Sequence, residues 1–284
     1  MAVYMNTKNT KTEHKFFIGD AGEILGLLED EIIQLIVTSP PYWRARDYES
    51  PKQLGYNDSY STYLQKMKII FNECVRTLLP DGKIALNIGN IYNFDPIDKR
   101  HYTVNIIRDL WQLLLGIKNF RFMGTIYWKK TTSRNGAVLF GSYPYPSNFM
   151  ISTALEVIHV FRKIGKRKNL KEIKEMSKIT KEEFRKFREP IWFLNGIGTK
   201  DHPAVFPNEL SRRLIKMYSF YGDLVLDPFC GIGTTNIEAL KLDRNSIGID
   251  VKRSYIRTAL KKLREVEGDS KITVFDKVSG GKHV

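Results

Sequence analysis

The sequence predicts an α/β protein built on a doubly wound, mostly parallel sheet. Two observations carry that prediction. Short apolar runs of strand type alternate with amphipathic stretches of helical period along most of the chain, and such alternation means a parallel sheet covered on both faces. A glycine-rich turn, Asp227 to Thr235, also joins one of these strands directly to a helix. The elements follow in order. Ile32 to Val37 is a continuous apolar run that reads as a buried strand, ended abruptly by Thr38-Ser39-Pro40-Pro41-Tyr42-Trp43. After a loop to about Asp58, Tyr60, Leu64, Met67, Phe71, Cys74, Val75 and Leu78 recur at helical spacing, and Pro80-Asp81-Gly82 ends that segment. Lys83 to Ile88 is strand-like, and Val104 to Ile117 is a second amphipathic helix. Met123 to Trp128 and Glu156 to Phe161 read as strands flanking a long loop rich in Gly, Ser, Pro and Tyr. A basic stretch and a Trp192-Phe193 patch lead to a helix over Pro207 to Tyr218. The strand Leu224 to Leu226, the helix Thr234 to Leu242, the strand Ser246 to Asp250 and the helix Lys252 to Val266 complete the series. There is no internal repeat.

Composition narrows the class. The 284 residues, 42% hydrophobic and 27% charged, suffice for one sizeable core with a small appended region. Met1 to Lys15 is polar and lacks the apolar stretch of a signal peptide, and no run approaches the roughly 20 apolar residues of a membrane span. Two cysteines, Cys74 and Cys230, give neither a disulfide framework nor metal-ligand spacing. A cytoplasmic protein without a structural metal is expected.

The net charge is +14. Between Arg162 and Arg188 twelve basic residues face four acids, Glu172, Glu175, Glu182 and Glu183. That excess suits a polyanion, whose counterions are released as phosphates are neutralised; a solvated helical face has the same composition.

Two segments carry chemistry. Thr38 to Trp43 ends a strand in a hydroxyl, two stiff residues without backbone donors, and an aromatic pair. It offers hydrogen-bond acceptors and a flat stacking face but no strong nucleophile, which suits gripping a planar base by its amino group. Asp227-Pro228-Phe229-Cys230-Gly231-Ile232-Gly233-Thr234-Thr235 lies between a strand and a helix, where glycines admit a ligand close to the backbone. Asn236 occupies the place of a third glycine and no Gly-Lys-Ser/Thr follows, so NAD and a P-loop both fit poorly. Asp250 ends the next strand, 19 residues after Gly231, where an acid can hold ribose hydroxyls. A nucleoside ligand without a pyrophosphate satisfies all three facts.

Taken together these residues resemble the S-adenosylmethionine-dependent amino-methyltransferases of DNA, in the permuted (beta) group whose catalytic motif precedes the cofactor loop. The resemblance runs over most of the chain in family order: Phe17-Ile18-Gly19-Asp20-Ala21, TSPPYW, Gln53-Leu54-Gly55-Tyr56, Leu79-Pro80-Asp81-Gly82-Lys83, Glu156 to Lys163, His202 to Pro207, and LDPFCGIGTT. It implies a seven-stranded class I methyltransferase sheet of Rossmann-like type with a β-hairpin on its C-terminal side. Ser before Pro-Pro-Tyr is associated in this family with N4 of cytosine, and Asp or Asn there with N6 of adenine. A cytosine-N4 enzyme acting on duplex DNA by base flipping and direct transfer is therefore implied, with adenine-N6 as the alternative. An RNA methyltransferase and a non-catalytic DNA-binding protein that keeps the fold are the remaining readings. Ser39, Pro40, Pro41 and Tyr42 would hold and stack the base.

By the same resemblance Asp20 and Ala21, Asp227, Phe229, Gly231, Gly233, Thr234, Thr235, Asp250 and His202 would form the cofactor pocket. Asp20 and Phe229 would meet the adenine, Asp227 the methionine amino group, and His202 the methionine end. Each has an ordinary alternative, respectively a turn, core filling, a satisfied strand end and a structural histidine. Trp43 and Trp128 line the base pocket or the core. Residues 1–161 would be the catalytic half and 198–284 the cofactor half. Residues 162–197 would be a target-recognition insertion touching DNA through Lys163, Lys166, Arg167, Lys168 and Lys171, with the Thr131 to Asn148 loop as a second contact. A cognate restriction endonuclease is a possible partner. Ring-carbon methylation is excluded, since neither Cys74 nor Cys230 has the Pro-Cys setting of its nucleophile.

Overall fold

The computed structural model describes residues 11–48, 50, 53–131, 151, 155–167, 171–196, 206–266, 270–276 and 281–283. In chain order the elements are β1 (Thr12–Ile18), α1 (Ala21–Leu25), β2 (Ile33–Thr38), α2 (Tyr60–Thr77), β3 (Leu78–Ile88), β4 (Ile91–Asp95), β5 (Arg100–Val104), α3 (Ile106–Leu115), β6 (Phe120–Lys130) and β7 (Leu155–Lys163). Then come α4 (Lys171–Met176), α5 (Lys181–Phe187), β8 (Ile191–Leu194), α6 (Asn208–Tyr218), β9 (Leu224–Asp227), α7 (Thr234–Lys241), β10 (Asn245–Asp250), α8 (Arg253–Arg264), β11 (Ser270–Asp276) and β12 (Gly281–His283).

One sheet runs in the order β12-β11-β1-β10-β9-β2-β3-β7-β6-β8. From β11 to β3 every neighbouring pair is parallel, and β7 then turns antiparallel to β3 and β6 antiparallel to β7. The sheet has ten strands among the described residues where the resemblance implies seven. The contiguous inner set from β1 to β6 has that number; β11 and β12 extend one edge and β8 the other. The antiparallel β6–β7 pair fills the place of the expected hairpin.

Both faces are covered because the central strands are apolar on both sides. All six residues of β2 are buried. Ile36 packs toward α1, α2 and α3, whereas Leu35 and Val37 pack toward α6 with Trp128, Ile158 and Trp192. Each such side chain withdrawn from water is worth roughly 1.5–3 kcal/mol.

Two departures from the sequence reading have local causes. Pro80-Asp81-Gly82 was expected to end one element before a strand, yet β3 runs through it from Leu78. The register with β2 shifts between Ile33 and Leu35, and Asp81 takes φ 67°, so the turn is absorbed as a bulge. Between Ile88 and α3, where the sequence reading names no element, lies a two-stranded hairpin, β4 with β5, in which Ile91 pairs with Val104 and Asp95 with Arg100. The expected domain limit at residue 161 lies inside β7, and β8 pairs in parallel with β6, so segment 162–197 begins and ends in the sheet.

The strand order reverses between β2 and β9. These are parallel neighbours, Leu35 opposite Val225 and Ile36 opposite Leu226, and the chain leaves them in opposite directions, β2 toward β3 and β9 toward β10. A crevice opens beyond the carboxyl ends of strands at such a point.

Candidate active site

At that reversal the two sequence motifs touch. Thr38 Oγ1 donates to Asp227 Oδ1 at 2.8 Å across 189 positions of chain. The Phe229 amide donates to the same oxygen at 3.1 Å, and Thr235 Oγ1 to Asp227 Oδ2 at 2.9 Å. Asp227 is thus completely buried with both oxygens engaged. Burial raises its pKa to about 6, against the three donors that favour the charged form. Its carboxylate braces the two loops against each other, beside the cavity-lining Pro228 and Phe229. Thr235 and Gly233 are likewise scaffold rather than lining. Gly233 sits at φ 78°, and a Cβ there would lie 2.7 Å from Ala259 Cβ, so only glycine lets α7 and α8 approach as they do. Asn236 is fully buried and donates to Ser246 Oγ at 2.9 Å.

The crevice is a cavity of about 540 Å³, a size suited to a nucleoside-sized ligand. On one side lie Asp20, Ala21, Phe229, Gly231, Thr234 and Asp250. Asp20 caps α1, accepting from the Glu23 amide at 3.1 Å. Asp250 accepts from the Gly231 amide at 3.0 Å and the Lys252 amide at 2.8 Å, and burial raises its pKa to about 6. A half-buried aromatic, a glycine backbone and an acid at the end of β10 fit the adenosine part of S-adenosylmethionine: Phe229 for the adenine face, Asp250 for the ribose hydroxyls. His202 lies outside the described residues.

On the other side lie Ser39, Pro40, Pro41, Tyr42, Asn87, Trp128, Lys130 and Glu156. The Tyr63 hydroxyl donates to the Pro41 carbonyl at 3.0 Å and ties the double-proline turn to α2. Tyr42 OH donates to Glu156 Oε2 at 3.2 Å, and Asn87 Nδ2 donates to the same oxygen at 2.6 Å. Lys130 Nζ pairs with Glu156 Oε1 and lies over the Trp128 ring. Burial first, and then the Glu156 charge, push the Tyr42 phenol well above its usual range. Trp128 joins the pocket; Trp43 does not, being core with its Nε1 donating to the Asp58 carbonyl at 2.9 Å. Asn87 and Lys130 escaped the sequence reading, and Glu156 was seen only as a position without a role. The signal that Asn87 and Glu156 leave is a polar residue in an apolar strand, in Ala85-Leu86-Asn87-Ile88 and Leu155-Glu156-Val157-Ile158.

Cys74 and Cys230 are buried, and burial pushes both thiols up, away from nucleophilic character.

The basic segment divides. Lys163 Nζ donates to the Leu78 carbonyl at 2.7 Å and lies 3.2 Å from Glu31, and Arg167 holds Asp223 through both terminal nitrogens while lying over Phe220. Both serve the fold, correcting their assignment to DNA. The reason is that they leave the end of β7, an interior strand, where the Leu78 carbonyl, Glu31 and Asp223 from neighbouring segments lie within reach. Lys166 and Lys171 are exposed. Lys168 lies outside the described residues, as do residues 132–148 of the second expected DNA-contact loop.

Fold and site together define a methyltransferase of class I architecture with a polar, nucleophile-free target wall. The chain belongs to the DNA methylase family, whose model matches residues 33–261. It is 32% identical over 277 residues to the type II methyltransferase M.MjaI of Methanocaldococcus jannaschii, covering 86% of this chain and 88% of that one. It is 31% identical to M.SmaI of Serratia marcescens, covering 88% and 90%. Among solved structures, a candidate DNA modification methylase of Thermus thermophilus complexed with S-adenosyl-L-methionine superposes with TM-score 0.74 at 33% identity, covering 93% of this chain and all of that one. The cytosine-N4-specific PvuII DNA methyltransferase shares the fold, at TM-score 0.66 and 20% identity over 89% and 87% of the two chains. The protein is an S-adenosylmethionine-dependent DNA methyltransferase of the N4/N6 amino type.

Proposed function

We propose that this enzyme methylates the N4 amino group of cytosine within a short specific sequence of duplex DNA, on a base turned out of the helix and without a covalent intermediate. One observation supports it above the others: Ser39 and Pro40 line the same cavity as Phe229 and Gly231, with the Thr38–Asp227 bond fixing the two loops together. S-adenosylmethionine supplies an electrophilic methyl group. The residues do the rest. The amino group of cytosine is a poor nucleophile because its lone pair is delocalised into the ring. Ser39 Oγ and the Pro40 carbonyl accept its two hydrogens and localise that pair, and the prolines keep the acceptors in place before the base arrives. The Tyr42 ring stacks on the extruded base and offsets a few kcal/mol of lost stacking. The exposed Lys166 and Lys171, in segment 162–197, meet phosphates as part of a target-recognition region.

The choice of cytosine rests on Ser39 at the head of Pro-Pro-Tyr. A companion restriction endonuclease is part of the proposal, supported by the type II methyltransferase relatives. Nucleoside mass spectrometry of duplex DNA treated with enzyme and cofactor tests the base. N4-methylcytosine is expected, and N6-methyladenine in its place overturns the assignment.

A further inference from the structure

We propose that Glu156 is the proton-holding end of a relay that runs from the target amine through Ser39 Oγ and the Tyr42 hydroxyl. The proposal rests on the amine-transfer reading of the site but not on the choice of base. An exocyclic amine that gains a methyl group becomes cationic and must lose a proton. A serine hydroxyl and a prolyl carbonyl can accept a hydrogen bond from it, but neither is basic enough to keep the proton.

The side chains behind Ser39 provide what it lacks. The Ser39 hydroxyl is close enough to the Tyr42 phenol to stabilise its ionised form, and Tyr42 OH donates to Glu156 Oε2 at 3.2 Å. The Tyr42 donor points inward, from the double-proline turn to the carboxylate of Glu156, a residue only 8% exposed. Asn87 Nδ2 donates to the same carboxylate oxygen at 2.6 Å and reaches Ser39 Oγ at 3.5 Å, which fixes the spacing of both ends of the chain. Lys130 Nζ pairs with the other oxygen, so a proton passed on by Tyr42 arrives at Oε2. The groups facing Glu156 are therefore Tyr42 from the turn after β2, Asn87 from β3 and Lys130 from β6.

The step balances. As the nitrogen forms its bond to the methyl carbon and the carbon–sulfur bond breaks toward sulfur, the amine proton passes to Ser39 Oγ. The Ser39 hydrogen moves to Tyr42, and the Tyr42 hydrogen moves to Glu156 Oε2. Ser39 and Tyr42 end as they began. Glu156 ends neutral and returns its proton to water before the next turnover. Glu156 acts through Tyr42 and Ser39 rather than on the base, so it positions and discharges the site without touching substrate.

The test compares Glu156→Gln, Tyr42→Phe, Lys130→Met and the double variant E156Q/K130M in single-turnover methylation. Cofactor affinity and base extrusion (2-aminopurine fluorescence at the target) are measured beside it. E156Q should lose about a hundredfold or more in transfer rate, the range of proton-transfer catalysis, with cofactor affinity and extrusion within twofold of wild type. K130M, which keeps the carboxylate, should lose less than tenfold. The double variant separates a relay from a structural ion pair: removing both charges would restore a merely structural site, whereas the relay stays broken. An E156Q rate within threefold of wild type, or recovery in the double variant, overturns the proposal. If E156Q does not fold, Y42F decides it, because it interrupts the relay with the stacking ring in place; full-rate Y42F overturns it equally. Wild-type product identity is scored separately, so N6-methyladenine would correct the base and leave the relay standing.

Discussion

The two walls of the cavity are made by different physical means. The cofactor wall comes mainly from one unbroken stretch, Leu224 to Asp250, in which a strand, a glycine turn, a helix and a second strand follow one another. Its specification is largely backbone: positive φ at Gly231 and Gly233, and amides that bond Asp250 and Asp227. The target wall is gathered from four separate places, Ser39 after β2, Asn87 in β3, Lys130 at the end of β6 and Glu156 in β7, and is held by side-chain hydrogen bonds and one ion pair. A backbone wall fails by steric change and a side-chain wall by chemical change. Substitutions should therefore separate stability from turnover.

The largest effect is expected at Ser39. Ser39→Ala removes an acceptor from the reacting amine and leaves the turn otherwise intact, so the transfer rate should fall by about 10²–10³, the magnitude for loss of one preorganised polar contact. Cofactor and DNA affinity should stay within twofold. Rapid-quench methylation and titration calorimetry measure the two, and unchanged turnover would refute the role given to Ser39. The converse case is Gly233→Ala. Its new Cβ would lie 2.7 Å from Ala259 Cβ on a backbone at φ 78°, so stability should fall by roughly 1–3 kcal/mol in urea unfolding. The transfer rate at saturating cofactor should stay within a few-fold. A variant as stable as wild type would mean that the α7–α8 contact relaxes freely.

The same contrast explains what could be read before the fold was known. Asp227 to Asp250 is legible because its determinants are neighbours in sequence, and the strands and helices around it keep simple periods. Thr38 to Tyr42 is legible because two prolines after an apolar strand are rare. Asn87, Lys130 and Glu156 are not, since each acquires meaning only when β3, β6 and β7 become neighbours, and pairing between strands leaves no trace in a local pattern. The bracing bonds of Asp227 are hidden from the sequence for a related reason. A carboxylate at a strand end looks ready for a ligand until Thr38, from across the switch point, consumes it. Lys163 and Arg167 show that a run of cations gives a net charge but not the direction of each side chain; the Leu78 carbonyl, Glu31 and Asp223 come from distant segments.

The smallest expected effect is a pH dependence confined to the cofactor wall. Burial raises Asp250 from the ordinary 3.8 to about 6, so the folded protein holds this proton more tightly than the unfolded chain. Its contribution to stability without cofactor is therefore greatest below about pH 4 and declines as pH rises to about 6. Cofactor binding should run in the opposite sense. A carboxylate that accepts ribose hydroxyls offers fewer acceptors once protonated, so on this reading affinity should be flat above pH 7 and weaken toward tenfold per unit below about 6. Asp227 titrates in the same window for the same reason, which makes Asp250→Asn the discriminating variant. Its amide does not titrate, so binding should be weaker at pH 8 and the acid slope should vanish. Calorimetric titrations at pH 5, 6, 7 and 8 measure this; a slope that persists in the variant moves the effect to Asp227 and the brace between the walls.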